Sequence, residues 1–195
     1  DYGAGNVRSV HKALVMVGAD VTVTEDPAVV LAADKVVLPG VGAFGDCMAS
    51  LEHLTLISAI QAIAARGAPF LGICVGMQVL FEQGTEMGLH AGLGLLPGRV
   101  TKFDVDPALK VPHTGWNQVE PAQATSLLQG LPDGAWTYFN HGYYCQARAE
   151  HTIAVTDYGG PFPSIVRREN VIGIQFHPEK SQAVGLRILK NFVAS

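Results

Sequence analysis

The stretch PFLGIC, residues 69–74, constrains the fold more than any other part of the chain, because it is apolar throughout. A short apolar run without polar alternation is typical of a strand covered on both faces, as in a parallel sheet between helices. The stretches KVVLPG (35–40) and NVIGIQF (170–176) are similar in character. We therefore predict an α/β fold with three layers, in which a mostly parallel central sheet carries helices on both faces.

Other segments complete this pattern. The first helix is predicted from apolar residues at helical spacing, with Asn6 as a candidate cap and Gly18 as its stop. DVTVT (20–24) is predicted to be a short strand. Further helices are predicted over residues 46–66, 75–81 and 181–193. A smaller antiparallel portion is predicted in the second half from LPGRVTKF (96–103), GWNQVE (115–120), AWTYFNHGYY (135–144) and TIAVTDYG (152–159), which follow one another without long helices.

Composition limits the kind of protein. The 195 residues suit a single domain, 1–195, and 48% hydrophobic against 15% charged residues excludes disorder. So few charges also favour a surface partly buried by a partner. A net charge of -4 without a basic block argues against nucleic acid and anionic membranes, and the apolar runs are too short to span a bilayer. Three cysteines without paired spacing fit a reducing cytoplasm better than a disulfide framework.

The first residues, DYGAGN, read as a loop that leads into a helix. In an α/β protein a strand should come before such a loop. We therefore expect a short apolar strand ahead of Asp1 to be missing from this sequence. A chain without that strand would have a slot in the middle of its sheet.

Cys74 lies at the junction of a predicted strand and a predicted helix, between Gly72 and Gly76. Two glycines around a candidate nucleophile allow the tight, strained turn called a nucleophile elbow, and a helix N-terminus there favours the thiolate. Free cysteines are, however, among the most buried residue types, so a core thiol is the alternative. The alternative is preferred for Cys47 and Cys145, which have no paired base in the sequence.

Among seven histidines, His177 stands out because it directly follows a buried strand, in GIQFHPEKSQ. Open α/β sheets place their sites at this edge. If the backbone stays extended through Pro178, Glu179 points to the same side and can orient the imidazole. A strand-end histidine beside a turn, with Glu179 capping the last helix, is the alternative.

Acyl transfer also needs an oxyanion hole. The backbone N–H of Val75, at the head of the predicted helix, is one candidate donor. PGVG (39–42) ends another strand and could present a second, because Gly40 leaves the peptide that joins it to Val41 unusually free to rotate. A plain turn, which glycine and proline also serve, is the alternative.

With Cys74, His177 and Glu179 in this order, the sequence resembles the class I, triad-type glutamine amidotransferases. Within that family it is most similar to the glutaminase subunits of imidazole glycerol phosphate synthase, an enzyme of histidine biosynthesis. GxCxG and HPE indicate the class, whereas DYGxGNxxSV, PHxGWN and HPEKSQ indicate the subunit. The resemblance covers residues 1 to about 182 through DYGAGNVRSV, LPGVGAFGDCM, PFLGICVGMQVLFE, GLGLLPGRV, VPHTGWNQV, YFNHGYY, DYGGPFPS and GIQFHPEKSQ.

The resemblance implies a reaction and roles. Cys74 would attack the glutamine amide to form a γ-glutamyl thioester, and His177, oriented by Glu179, would protonate the ammonia and then activate water. The N–H groups of Val75 and Val41 would stabilise the oxyanion, with neither a metal nor another cofactor required. Residues that match the glutamine pocket of similar proteins are Gly42, Gln78, His141, Gly142 and Tyr143.

The resemblance also implies a partner. Similar proteins form a heterodimer with a (β/α)8-barrel cyclase, which receives the ammonia through its core and makes imidazole glycerol phosphate and AICAR. Residues that correspond to the surface facing the barrel are Asn6, Tyr138 and Lys180, together with Trp116 of PHTGWN, for which a core position is the alternative.

Three departures from the family concern the absent first strand, CVG in place of CLG, and the segment YFNHGYY. There, similar proteins usually have an apolar residue at the position of Asn140 and a hydroxyl residue at that of Gly142. A buried Asn140 amide would need a partner, and Gly142 lacks a hydroxyl for glutamine. Another class I glutaminase, such as that of pyridoxal phosphate synthase, and a non-catalytic subunit of the same fold are the alternative functions.

Overall fold

The computed structural model of the protein describes residues 1–3 and 6–195, so part of the predicted DYGAGN loop lies outside the described residues. Within these residues, three single turns of 3-10 helix occur at Ser126–Leu128, Ala149–His151 and Pro178–Lys180. The α-helices are α1 (Val7–Met16), α2 (Pro27–Ala32), α3 (Phe44–His53), α4 (Leu56–Ala65), α5 (Val75–Gln78) and α6 (Gln182–Ala194).

The strands form two sheets. In the described residues, a seven-stranded sheet has the order β1-β2-β11-β10-β9-β6-β7, and a four-stranded sheet has the order β4-β3-β5-β8. The strands are β1 (Val36–Gly40), β2 (Phe70–Cys74), β3 (Phe81–Gly84), β4 (His90–Ala91), β5 (Leu96–Lys102), β6 (His113–Pro121), β7 (Ala135–His141), β8 (Tyr143–Gln146), β9 (Thr152–Asp157), β10 (Pro161–Arg168) and β11 (Val171–Ile174).

The predicted apolar stretches form the parallel part of the large sheet. β2 pairs in parallel with β1 on one side and with β11 on the other, and every residue of β2 is buried. The longer helices pack in two groups, α1 with α6, and α2 and α3 with α4. The α/β class is therefore confirmed, and apolar side chains on both faces of β2 explain it.

The large sheet is mixed rather than mostly parallel. β10, β9, β6 and β7 continue it in antiparallel pairing beyond β11. The predicted antiparallel portion of the second half thus lies partly in this extension and partly in the small sheet, where β5 pairs with β8. Sequence patterns reveal strands but not their neighbours, which explains the difference.

Two predicted helices differ from the structure. The predicted helix 46–66 is broken at Thr55, whose positive φ of 56° separates α3 from α4. The predicted helix 75–81 has only one turn, because Phe81 belongs to β3 and pairs with Leu96. Asn6 does stand at the N-cap of α1, but its side chain makes no capping hydrogen bond to the described residues.

The predicted strand 20–24 is not formed. A strand needs a hydrogen-bonded neighbour, and this segment instead faces a groove of about 650 Å³ that separates it from β1. Apolar side chains of four helices, α1, α2, α4 and α6, line the groove, among them Val10, Ile60 and Phe192. The Asp1 amino group lies at one end, where it donates a hydrogen bond to the Thr24 carbonyl.

No single helix in the described residues is long and apolar enough to cross a membrane. α3 and α4 reach the necessary length and composition only as a pair, which is bent by 94°. Both helices contribute side chains to the hydrophobic core, including Leu51 and Ile60.

Candidate active site

The three parallel strands bring their carboxyl ends together. Gly40 at the end of β1 is in register with Cys74 at the end of β2, and His177 follows three residues after β11. Residues far apart in the chain therefore meet at one edge of the sheet, as expected for an α/β protein.

Cys74 occupies a sharp turn between β2 and α5. Its φ of 56° and ψ of -114° lie outside the regions that L-residues normally adopt. A Cβ on Gly72 would lie 2.5 Å from the Gly76 carbonyl oxygen, and one on Gly76 would collide with the carbonyl oxygen of Leu38. Both glycines are therefore required for the close approach of strand and helix, and the predicted elbow is present.

His177 lies between Cys74 and Glu179. Its Nδ1 is 2.9 Å from Oε1 of Glu179, and both side chains are almost fully buried, at 4% and 1% exposure. Burial alone lowers the pKa of His177, but hydrogen bonds to Cys74 and Glu179 outweigh it and raise the pKa to about 9. A protonated His177 is thus held between two acceptors.

The backbone around His177 differs from the expected extended path. Pro178–Lys180 form a 3-10 turn, yet the carboxylate still reaches the imidazole. The turn is fixed by Ser181, whose hydroxyl donates to the His177 carbonyl at 2.6 Å and accepts from the Tyr138 N–H at 3.0 Å. The His177 N–H in turn donates to the Tyr138 carbonyl at 2.8 Å.

A cavity of about 180 Å³ opens in front of Cys74. Glu86, which sequence reasoning missed, adds a carboxylate to its wall, and the carboxylate accepts a hydrogen bond from the Phe44 N–H at 2.8 Å. Only the fold brings Glu86 there, since no motif marks it. Predicted site residues that line the cavity are Val41, Gly42, Cys74, Val75, Gln78, His141, Gly142, Tyr143, His177 and Lys180.

Gln78 and Gln175 form the buried floor behind the thiol. The Gln78 amide donates to the Tyr143 carbonyl at 3.0 Å and to Oε1 of Gln175 at 3.2 Å. The Gln175 amide lies 3.9 Å from Sγ of Cys74. Gln78 therefore ties α5 to β8 besides lining the cavity, and Gln175 is a second residue that sequence reasoning missed.

His141 belongs to a chain of buried polar groups. The His141 Nδ1 lies 2.8 Å from the Tyr143 carbonyl, the His141 Nε2 lies 3.2 Å from Nδ1 of His113, and the His113 Nε2 lies 3.2 Å from the Asn117 amide. Burial lowers the pKa of His141 to about 3 and that of His113 to about 4. Both rings are neutral, so each donates one hydrogen bond and accepts another.

The two departures at YFNHGYY are accommodated. Asn140 is exposed, and its carbonyl oxygen accepts a hydrogen bond from the Thr114 hydroxyl at 3.0 Å, so its amide is not buried. A Cβ on Gly142 would meet only Val111 and Pro112, at 3.6 and 4.0 Å. The glycine therefore leaves space for a small side chain in the cavity wall.

The residues predicted to face a partner lie near one another on the surface. Trp116 on β6 is in register with Tyr138 on β7, and Nζ of Lys180 lies 5.6 Å from the Tyr138 ring centre. Trp116 is 44% exposed, which excludes the core alternative. Asn6 begins α1, which packs against the 178–180 turn. Trp136, 53% exposed on β7, extends this aromatic face and was missed from the sequence.

The other two cysteines belong to the hydrophobic core rather than to a second site. Cys47 and Cys145 are fully buried free thiols, as predicted. Across residues 1–3 and 6–195, no group of three or more histidine, cysteine or carboxylate side chains is placed to hold a metal ion.

Comparison with known proteins gives the family. The family model of class I glutamine amidotransferases matches residues 1–195. The chain is 52% identical over 193 residues to "Imidazole glycerol phosphate synthase subunit HisH" of Desulfitobacterium hafniense, covering 98% of this chain and 90% of that protein. The protein of the same name from Salinibacter ruber is 50% identical over 200 residues, covering 100% and 92%.

Solved structures show the same fold. A crystal structure described as a glutamine amidotransferase superposes with a TM-score of 0.76 at 18% identity, covering 98% of this chain and 94% of that one. The structure of PurLQS from Thermotoga maritima gives a TM-score of 0.72 at 18% identity, covering 100% and 95%. Fold, sequence and family model agree, and the chain belongs to the class I glutamine amidotransferases.

Proposed function

We propose that this chain hydrolyses glutamine to glutamate and ammonia, as the glutaminase subunit of imidazole glycerol phosphate synthase in the cytoplasm. The observation that carries the proposal is the arrangement Cys74–His177–Glu179 in front of a cavity, with His177 hydrogen-bonded to both neighbours. The names of relatives at about 50% identity support the choice of this synthase over other glutaminases.

The first half of the reaction forms a thioester. His177 already holds the proton of the Cys74 thiol, and the sulfur attacks the side-chain carbonyl carbon of glutamine. The N–H groups of Val75 and Val41 stabilise the resulting oxyanion. The carbon–nitrogen bond then breaks as His177 passes its proton to the leaving nitrogen, which departs as ammonia.

The second half releases glutamate. His177, now neutral, removes a proton from water, and the oxygen attacks the thioester carbon. The carbon–sulfur bond breaks, the new carboxyl group loses its proton to water as glutamate leaves, and the proton taken from the attacking water stays on His177 beside the sulfur. Glu179, 2.9 Å from His177, orients the ring and stabilises its charged form in both halves.

The cavity suits glutamine in charge as well as in size. Glu86 offers a carboxylate for the substrate's α-ammonium group, and the neutral His141 helps to fix the neighbouring backbone of Tyr143. The cavity wall that holds glutamine consists of Gly42, Gln78, His141, Gly142 and Tyr143 together with Glu86.

The partner in this proposal is a (β/α)8-barrel cyclase, bound as a heterodimer. Exposed aromatic side chains are enriched in protein–protein interfaces, and Trp116 and Tyr138 form such a face beside Lys180 and close to the active site. Ammonia that passes directly into the partner avoids protonation in water. The cyclase then uses it to make imidazole glycerol phosphate and AICAR.

The test is the glutamate release rate of the chain alone and with a cyclase subunit of the same pathway and its nucleotide substrate. We expect hydrolysis that rises strongly in the complex. Trp116→Ala should weaken the complex, whereas Met16→Ala, an exposed apolar residue at the end of α1, should not. A complex that releases no glutamate would refute the proposed activity.

A further inference from the structure

One buried hydroxyl lies beside the oxyanion segment without a role in the steps above. Tyr2 is 4% exposed, and its Oη has no oxygen or nitrogen hydrogen-bond partner among the described residues. A buried hydroxyl with only a thiol, a weak acceptor, beside it is poorly satisfied, so an oxygen acceptor that moves within its reach is stabilised. Burial raises the pKa of Tyr2, and the adjoining Cys47 thiol and the nearby Cys74 raise it further, so the group stays a neutral donor.

The acceptor is identified by what surrounds Gly40. A Cβ on Gly40 would lie 2.7 Å from the Tyr2 Oη and 2.6 Å from the Gly76 nitrogen. The hydroxyl therefore packs directly against the glycine whose peptide with Val41 carries the second oxyanion donor. Val41 itself is 40% exposed and lines the cavity. The buried Tyr2 hydroxyl and the open cavity therefore both adjoin the short segment Gly40–Val41, the hydroxyl from the protein interior and the cavity from the outside.

The geometry of a trans peptide connects the two sides. Its C=O and N–H point in opposite directions. A Gly40 carbonyl that turns inward to the Tyr2 hydroxyl therefore leaves the Val41 N–H turned outward, toward the cavity and Cys74. We infer that Tyr2 is a positioning residue, whose hydroxyl donates to the Gly40 carbonyl in the state that completes the oxyanion hole. This inference rests on the proposed glutaminase function.

Cys47 contacts the next peptide, which joins Val41 to Gly42. Its Sγ lies 3.7 Å from the Val41 carbonyl oxygen, and the residue is fully buried on α3. Burial raises the pKa of Cys47 to about 11, so the thiol keeps its proton and donates it to that carbonyl. The following peptide is thus anchored while the Gly40–Val41 peptide turns.

The test is Tyr2→Phe, which removes one oxygen and keeps the ring. In the complex with the cyclase, kcat for glutamine should fall about 5- to 10-fold, as expected for one lost hydrogen bond. KM and the rate of Cys74 alkylation by iodoacetamide should stay unchanged, because neither glutamine binding nor alkylation forms an oxyanion. Tyr144→Phe, which deletes the same atom from β8, should change none of the three.

A folded Tyr2→Phe with wild-type kcat, or one with an equal loss in alkylation, overturns the inference. The melting temperature shows whether the variant folds. If it does not, Cys47→Ala tests the same segment: a lower kcat with unchanged KM supports the inference, and an unchanged kcat refutes it. An inactive wild-type complex refutes the proposed function itself, whereas an active wild type with an indifferent Tyr2→Phe refutes only the role of Tyr2.

Discussion

The substitution Glu179→Gln tests whether the Glu179 carboxylate keeps His177 protonated in the proposed mechanism. Oε1 of Glu179 lies 2.9 Å from Nδ1 of His177, and the side chain is 1% exposed. Glutamine has the same size and removes only the charge. Oε2 has no hydrogen-bond partner among the described residues, so the new amide breaks no existing contact.

The size of the effect follows from the pKa of His177, which is raised from 6.5 to about 9 by Cys74 and Glu179 against the effect of burial. Each pKa unit corresponds to about 1.4 kcal/mol, or a factor of 10. The substitution removes one hydrogen bond to a charged group, which is worth about 1.5 to 3 kcal/mol and lowers kcat/KM at pH 7 by about 10- to 100-fold. The high-pH limit of activity, where His177 loses its proton, moves to lower pH because Glu179 no longer raises the pKa of His177.

The assay is glutamate release by the complex between pH 6 and pH 10, measured for the wild type, Glu179→Gln and Glu150→Gln. Glu150 is 65% exposed and pairs at 3.7 Å with Arg148, so its variant should follow the wild-type profile. A folded Glu179→Gln with wild-type kcat/KM and an unmoved high-pH limit would refute the role of the carboxylate.

Three further predictions concern the cavity, the buried histidines and the groove. Gly142→Ser, for which the structure has space, should lower KM for glutamine by about 2- to 10-fold through one added hydrogen bond, and a raised KM would count against this account of the pocket. Because the pKa values of His113 and His141 are lowered in the folded protein, the unfolded chain binds more protons below its histidine pKa of about 6.5. The melting temperature should therefore fall from pH 6.5 toward pH 4.5. A melting temperature that does not change over this range would contradict the buried, neutral state of the two rings. We also propose that a first core strand belongs in the groove. About five alternating valine and isoleucine residues added before Asp1 should then raise the melting temperature, whereas a Gly/Ser extension of equal length should not. Equal effects of the two extensions on the melting temperature would argue against the strand.

Much of the parallel sheet was predictable, because a strand buried on both faces has an unmistakable apolar run. β1, β2 and β11 all lie within such runs. The antiparallel extension was not, since pairing between distant strands leaves no local signal. The break at Thr55 and the single turn of α5 also escaped prediction, because a left-handed residue and a pairing of Phe81 with β5 override helical spacing.

The residues of the candidate site likewise include some that the sequence indicated and others that only the fold revealed. Cys74 and His177 were found because each sits at the end of an apolar strand, and Glu179 because it is two residues from His177. Glu86 and Gln175 carry no sequence signal of their own and reach the site only through folding. Tyr2 was hidden for another reason: its role depends on a contact with Gly40, 38 positions away in the chain.

The claim that Cys74 is the nucleophile of a glutaminase is tested most directly by Cys74→Ala in the complex with the cyclase. Glutamine-dependent synthesis should be abolished, while synthesis driven by added ammonia should continue at the wild-type rate. Cys145→Ala, which removes the buried thiol of β8, should retain glutamine-dependent synthesis. A Cys74→Ala complex that still releases glutamate from glutamine would contradict the account.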